Sequence, residues 1–204
     1  MIKLEEYQLT DNKVLRIYQD EDAQNPRDDD NLGSLFCFHK RYTLGDKNKN
    51  EIDASDFRNW DEMETFLLKT YDYVFPVYLF DHSGLAISMT TFSCKWDSGQ
   101  IGFICVSKDR LAQAGFNELS DTEIRAYMKG EIARYNDYLQ GNVYGFEIVE
   151  TVLCSACARR HENILEAVWG FYGDNYLTAM IEYLYGEDKL ALTSSNGGYR
   201  YGTK

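Results

Sequence analysis

Long apolar runs are missing from this chain of 204 residues. None approaches the ~18 residues that a membrane-crossing helix needs, so the sequence predicts no membrane partner. Proline is scarce, with two residues, while 44% of the chain is hydrophobic and 15% aromatic. That balance excludes a disordered, collagen-like or low-complexity chain and predicts a folded domain with a sizeable core. Positive charge is also short: 21 basic against 33 acidic residues, a net charge of -12 and a pI of about 4.7. Binding to a phosphate backbone needs clustered Lys and Arg, so direct nucleic-acid binding is not expected. A surface of this sign favours a partner with a basic or nucleic-acid-binding surface. The opening Met1–Glu6 leads into no apolar signal-peptide core. Together with an odd count of five cysteines, this predicts reduced thiols and a cytoplasmic protein of the host cell.

Several periodic segments are present. Residues 1–9 and 13–18 alternate polar and apolar and read as two strands joined at Asp11-Asn12. Residues 19–31 form a polar loop, 35–39 a short buried strand, and 43–53 a second loop. A helix is expected after an N-cap at Ser55, with Phe57, Trp60, Met63, Phe66 and Leu67 as its apolar stripe. Residues 73–80, 85–91 and 100–107 read as a three-stranded meander turning at Asp81-His82-Ser83-Gly84 and Trp96-Asp97-Ser98-Gly99. A short helix over 108–114 stops at Gly115. A longer one opens with the Ser120/Glu123 capping box, carries Ile124, Tyr127, Met128, Ile132, Tyr135, Tyr138 and Leu139, and stops at Gly141. Residues 143–153 and 164–171 read as a hairpin, 175–185 as a last amphipathic helix, and 194–204 as a flexible tail. Strands and helices do not alternate regularly. The predicted class is therefore α+β: a single domain over 1–193 with a largely antiparallel sheet and three to four amphipathic helices.

Many specific short motifs lie between residues 25 and 175. They include Asn25-Pro26-Arg27, Asp30-Asn31-Leu32-Gly33, Cys37-Phe38-His39, Arg41-Tyr42 and Leu44-Gly45-Asp46. Tyr78–Gly84, Phe92-Ser93-Cys94, Trp96–Gly102, Tyr135–Leu139, Val143–Phe146 and Trp169–Gly173 follow. In these the chain resembles an uncharacterised family found in phages, mobile elements and their bacterial hosts. The resemblance implies genomic company rather than chemistry: small acidic proteins in that company often antagonise host defences such as restriction or CRISPR nucleases. That implication is by association.

Three constellations could carry a function. The first is His39, Asp81, His82, Asp97 and Ser98, with Tyr42, Ser83, Trp96 and Gln100 beside them. A histidine next to carboxylates can move a proton, and a serine beside it can act as nucleophile. No Gly-x-Ser-x-Gly elbow accompanies them, and Asp, Ser and Gly are also plain turn formers. In a regular meander the two turns lie at opposite ends of the middle strand; they converge only if the segment over 90–95 bends back. The second constellation is Cys154-x-x-Cys157 with His161, which has the spacing of three zinc ligands, of a redox pair or of free thiols. Glu162, Cys37 or His39 could supply a fourth ligand through the fold. Zinc is the one cofactor such a set suggests. The third is the acidic group Asp53, Asp56, Asp61, Glu62 and Glu64, which lie on or near one helix and could form a row imitating the charge spacing of DNA. Arg58 interrupts that row. The acidic loop Asp20–Asp30 lacks the glycine and terminal glutamate of an EF-hand, and Arg27 is expected to sit among its carboxylates.

The leading expectation is a non-enzymatic binding protein that antagonises a host defence complex by protein contact or nucleic-acid mimicry. The alternatives are a small hydrolase or ligand-binding protein using the His/Asp/Ser group, and a zinc-stapled structural module.

Overall fold

The computed structural model describes residues 1–46 and 52–185; the tail expected over 194–204 lies outside the described residues. The fold is α+β, with eight antiparallel strands in two sheets and four helices among those residues. The chain divides into two compact units, one built from residues 1–24 and the described part of 141–204, the other from 25–140.

In the first unit, β1 (Ile2–Thr10) and β2 (Lys13–Gln19) pair as a hairpin around Asp11-Asn12. The sheet order is β1-β2-β7-β8, with β7 at Val143–Leu153 and β8 at Arg160–Tyr172. Inward-facing Tyr7, Leu15, Ile17 and Phe146 are covered by Met180 of α4 (Tyr176–Tyr185). Gly145 lies opposite Trp169 on β8, and the indole rests on it: a Cβ there would lie 2.0 Å from the ring. The Val143–Phe146 and Trp169–Gly173 motifs are thus halves of one packing contact. The strand β8 starts four residues earlier than expected at Ile164, because Leu153 pairs with Arg160 and Val152 with His161. The hairpin tip shrinks to residues 154–159.

In the second unit, the sheet order is β3-β6-β4-β5, with β3 at Ser34–Cys37, β4 at Tyr73–Asp81, β5 at Leu85–Ser88 and β6 at Ser98–Val106. The expected meander does not form. The central partner is β4, and after β5 the chain crosses back so that β6 pairs on the other side of β4. Residues Ile101–Val106 are all buried because β6 is covered on both faces. On one face Ile104 and Val106 meet Ile124, Met128, Ile132 and Tyr135 of α3 (Asp121–Leu139). On the other, Phe103 and Cys105 meet Met63 and Leu67 of α1 (Trp60–Leu67). The β3·β6 pair approaches so closely that a Cβ on Gly102 would lie 1.8 Å from the Phe36 carbonyl oxygen. Between these elements α2 (Lys108–Gln113) is capped by Ser107.

Local rules place most helix ends. The Ser120 capping box forms in both directions, and Ser120 holds the Glu123 carboxyl below its ordinary pKa. Two details depart from the sequence reading. The N-cap of α1 is Asn59, which accepts from the Glu62 N–H; Ser55 lies inside a separate 3-10 turn capped by Asp53. Tyr127 is exposed rather than facing the core, and packs on Phe116 at 5.0 Å.

Arg27 is the largest correction in this unit. It turns inward, and its guanidinium donates to Asp46 at 2.8 and 3.1 Å, to Glu131 at 2.8 Å and to the Gly33 carbonyl at 2.6 Å. Burial works against its charge, but Asp46 and Glu131 outweigh it and raise its pKa. Glu131 also accepts from the Leu32 and Gly33 N–H groups, and Asp46 from the Leu35 N–H. The Asn-Pro-Arg, Asn-Leu-Gly and Leu-Gly-Asp motifs therefore meet in one structural clasp. Nearby, burial pushes the Tyr135 hydroxyl up to about 12 while it accepts from the Gly45 N–H.

Candidate functional site

The crossing of β6 over β4 brings the two turns together. Phe80 pairs with Ser98, and the Asp81 N–H donates to the Asp97 carbonyl at 2.8 Å. Both turns thus lie at one end of the second sheet. The Phe38 N–H donates to the Ile101 carbonyl at 2.7 Å, which extends the β3·β6 pairing and carries His39–Tyr42 to the same end.

At this end His82 Nδ1 lies 3.1 Å from Asp97 Oδ2. The imidazole is 65% exposed and stacks beside Phe80, whose ring also packs on Phe92. Asp97 also accepts from the Cys94 thiol at 3.6 Å. Asp81 pairs with Arg41 and accepts from the Tyr42 hydroxyl at 3.4 Å. His39 and Tyr42 stack at 5.0 Å with an interplanar angle of 9°, and the Arg41 guanidinium lies over Tyr42. A depression of ≈ 300 Å³ is lined by His39, Arg41, Asp81, Trp96, Asp97, Ser98 and Gln100 together with strand backbone. The Trp96 indole is 97% exposed at its rim. Ser83 sits at the turn tip with φ 60°, exposed, where the turn needs a left-handed residue. The Ser98 hydroxyl donates to the Cys94 carbonyl, and Gln100 reaches the Gly102 carbonyl at 3.4 Å.

His39, Asp81, Asp97, Ser98, Trp96 and Gln100 thus converge, as the bent-back alternative requires. Arg41 is the partner that site reasoning missed; only its place in the Arg41-Tyr42 motif could have marked it. Chemically, His82 and Asp97 form a dyad able to hold a proton. The Ser98 hydroxyl is turned to the Cys94 carbonyl.

The acidic group divides. Asp53 and Asp56 line a second depression of ≈ 760 Å³, to which Tyr42 also belongs and which shares His39 with the first. Asp53 is engaged in capping the Ser55 N–H, which holds its carboxyl below the ordinary pKa. Asp61, Glu62 and Glu64 lie on α1, and Glu62 is tied to Arg58.

The hairpin tip of the first unit brings Cys154, Cys157 and His161 together, with one donor atom of each within 4.8 Å of the others, close enough to bind a metal ion. Cys157 Sγ lies 3.8 Å from His161 Nε2. The tip closes through Cys154 N–H to the Arg159 carbonyl at 2.8 Å and Ala158 N–H to the Cys154 carbonyl at 2.9 Å, with Ala158 at φ 54°. Backbone N–H groups of Cys157 and then Ala156, followed by the Cys157 thiol, hold the Cys154 thiol below its ordinary pKa. Of the residues that could have completed the set, Glu162 pairs with Arg16 at 2.7 Å, Cys37 is buried in the second unit's core, and His39 lines the depression described above.

Among the described residues no helix is long and apolar enough to cross a membrane. No protein-family model matches this chain, and neither the curated proteins nor the solved structures contain a significant match to it.

Proposed function

We propose that the protein acts by binding another protein, with the depression beside Trp96 as its contact face. One observation carries this reading: Trp96 is 97% exposed at the rim of a depression whose polar side chains are already paired within the chain. An indole in water is costly to leave uncovered, and Trp, Tyr and Arg are the residues that dominate binding energy at interfaces. Prior pairing of Arg41 with Asp81 and of His82 with Asp97 lowers the cost of ordering them on contact. The hydrolase alternative is less well supported, because the Ser98 hydroxyl is committed to Cys94 and the imidazole stands mostly in water. The net charge of -12 and the resemblance to phage and mobile-element proteins support a partner in a host defence complex, of restriction or CRISPR type, with a basic or nucleic-acid-binding surface. The test is a pull-down of tagged protein from bacterial lysate at low and high salt, beside a Trp96→Ala variant. Salt-sensitive recovery of a nuclease or other defence subunit, lost in the variant, is the expected result. Equal recovery by both proteins removes the Trp96 face from the reading.

A second reading is favoured by the hairpin tip, where Cys154, Cys157 and His161 hold Zn²⁺ and staple the end of the β7–β8 hairpin. The N–H groups directed at the Cys154 sulfur suit a thiolate ligand. Metal analysis of protein purified without chelator tests it. About one zinc per chain is expected, falling to none in Cys157→Ser.

A further inference from the structure

We infer that the Cys154/Cys157/His161 site is open: it binds its metal through three protein donors and takes the fourth from solution, a water at rest and a thiolate when one is offered. This rests on the zinc reading above and adds a ligand class to it. A tetrahedral ion with bonds of about 2.3 Å to sulfur and about 2.0 Å to nitrogen puts its donors roughly 3.5–3.8 Å apart. The sulfur–nitrogen edge is the shorter of these, about 3.5 Å, and Cys157 Sγ and His161 Nε2 stand close to it at 3.8 Å. A small inward movement of the tip closes the 4.8 Å limit of the set.

Among the described residues no fourth donor joins the cluster. The carboxylates nearest in the hairpin ladder are drawn elsewhere. Glu150 lies 3.8 Å from Lys13 and accepts from Asn12, while Glu162 takes two bonds from Arg16. Cys157 and His161 are exposed, so solvent has access to the remaining position. Charge selects the donor. Zn²⁺ with two thiolates and a neutral imidazole sums to zero, and the exposed Arg159 and Arg160 flank it. A fourth donor carrying negative charge is stabilised there, and a soft thiolate suits the ion better than a carboxylate.

The experiment uses the full chain loaded with Co²⁺, whose sulfur-to-metal charge-transfer absorbance reports the number of bound thiolates. Titration with 2-mercaptoethanol should raise that absorbance by about one half, from two thiolates to three, in a saturable manner with the cobalt still bound. A peptide with one cysteine, added in a parallel arm, separates a donor carried by another protein from a free small thiol. Glu150→Gln and Glu162→Gln should leave both curves unchanged. An absorbance that does not move while cobalt stays bound means a closed site and overturns the inference. So does release of the cobalt without a rise. Failure to bind cobalt or zinc at all overturns the metal reading itself and is seen before any thiol is added.

Discussion

Arg27 and Arg41 each clasp an aspartate within the same unit of the protein. The Arg27 side chain is 1% exposed and is shared by Asp46, Glu131 and the Gly33 carbonyl, while that of Arg41 is 69% exposed and meets Asp81. The residue types are alike; their surroundings differ. Inside, the guanidinium has exchanged water for its partners and requires them, and the clasp positions the 25–46 segment. Outside, water still screens the pair, so it contributes little to folding and is available to another molecule. An ion pair is therefore read as architecture or as a contact group from its burial, and the motif that contains it does not tell the two apart. Arg16 stands between these extremes: 20% exposed, it bridges Glu6 and Glu162 across the first unit's sheet.

The largest expected effect is at Arg27. Arg27→Ala should destabilise the protein by about 2–4 kcal/mol, because two half-buried carboxylates lose their shared cation and the Gly33 carbonyl its donor. Urea unfolding measures it, and a cost below that of Arg41→Ala would break the comparison. Glu131→Gln comes next, at about 1–3 kcal/mol, since it keeps the shape but weakens the bonds to Arg27 and to the Leu32 and Gly33 N–H groups.

Arg16 sharpens the gradient through pH. Its guanidinium holds the Glu6 carboxyl below the ordinary range, so that pair contributes stability above the ordinary glutamate pKa and loses it as pH falls through the lower folded value. Arg16→Gln should cost about 1 kcal/mol near neutral pH. It should also flatten the loss of stability between about pH 5 and pH 3, read from unfolding midpoints across that range. A variant with the same acid limb as the parent would show that Glu6 is not held by Arg16. At the small end, Arg41→Ala and Trp96→Ala should each shift stability by less than about 0.5 kcal/mol. Binding should order these variants in reverse: Trp96→Ala should weaken partner affinity by about tenfold or more, measured by titration of the partner recovered by pull-down.

Where a rule acts over one or two turns of chain, the sequence was readable. The Ser120/Glu123 box, the stop at Gly141 and the hairpin at Asp11-Asn12 all lie where local chemistry puts them. The start of α1 departs from Ser55 because two capping residues, Asp53 and Asn59, flank it and take the two caps. Helical spacing puts Tyr127 with the apolar residues, yet Ile124, Met128, Ile132 and Tyr135 fill the buried stripe and leave it exposed. The candidate site was half legible. Asp81, His82, Trp96 and Asp97 are turn residues and His39 ends a strand, but their meeting depends on which side of β4 the next strand takes.

Amphipathic period, capping chemistry and the balance of charge specified the α+β class, the helices and the acidic surface, because each acts through neighbours a few residues apart. Pairing of β6 with β4 instead of β5, the inward turn of Arg27 toward Glu131, and the closing of Val152 against His161 so that three metal donors face one another are different in kind. Each joins segments through burial and register, and those quantities exist only once the chain has chosen its strand order.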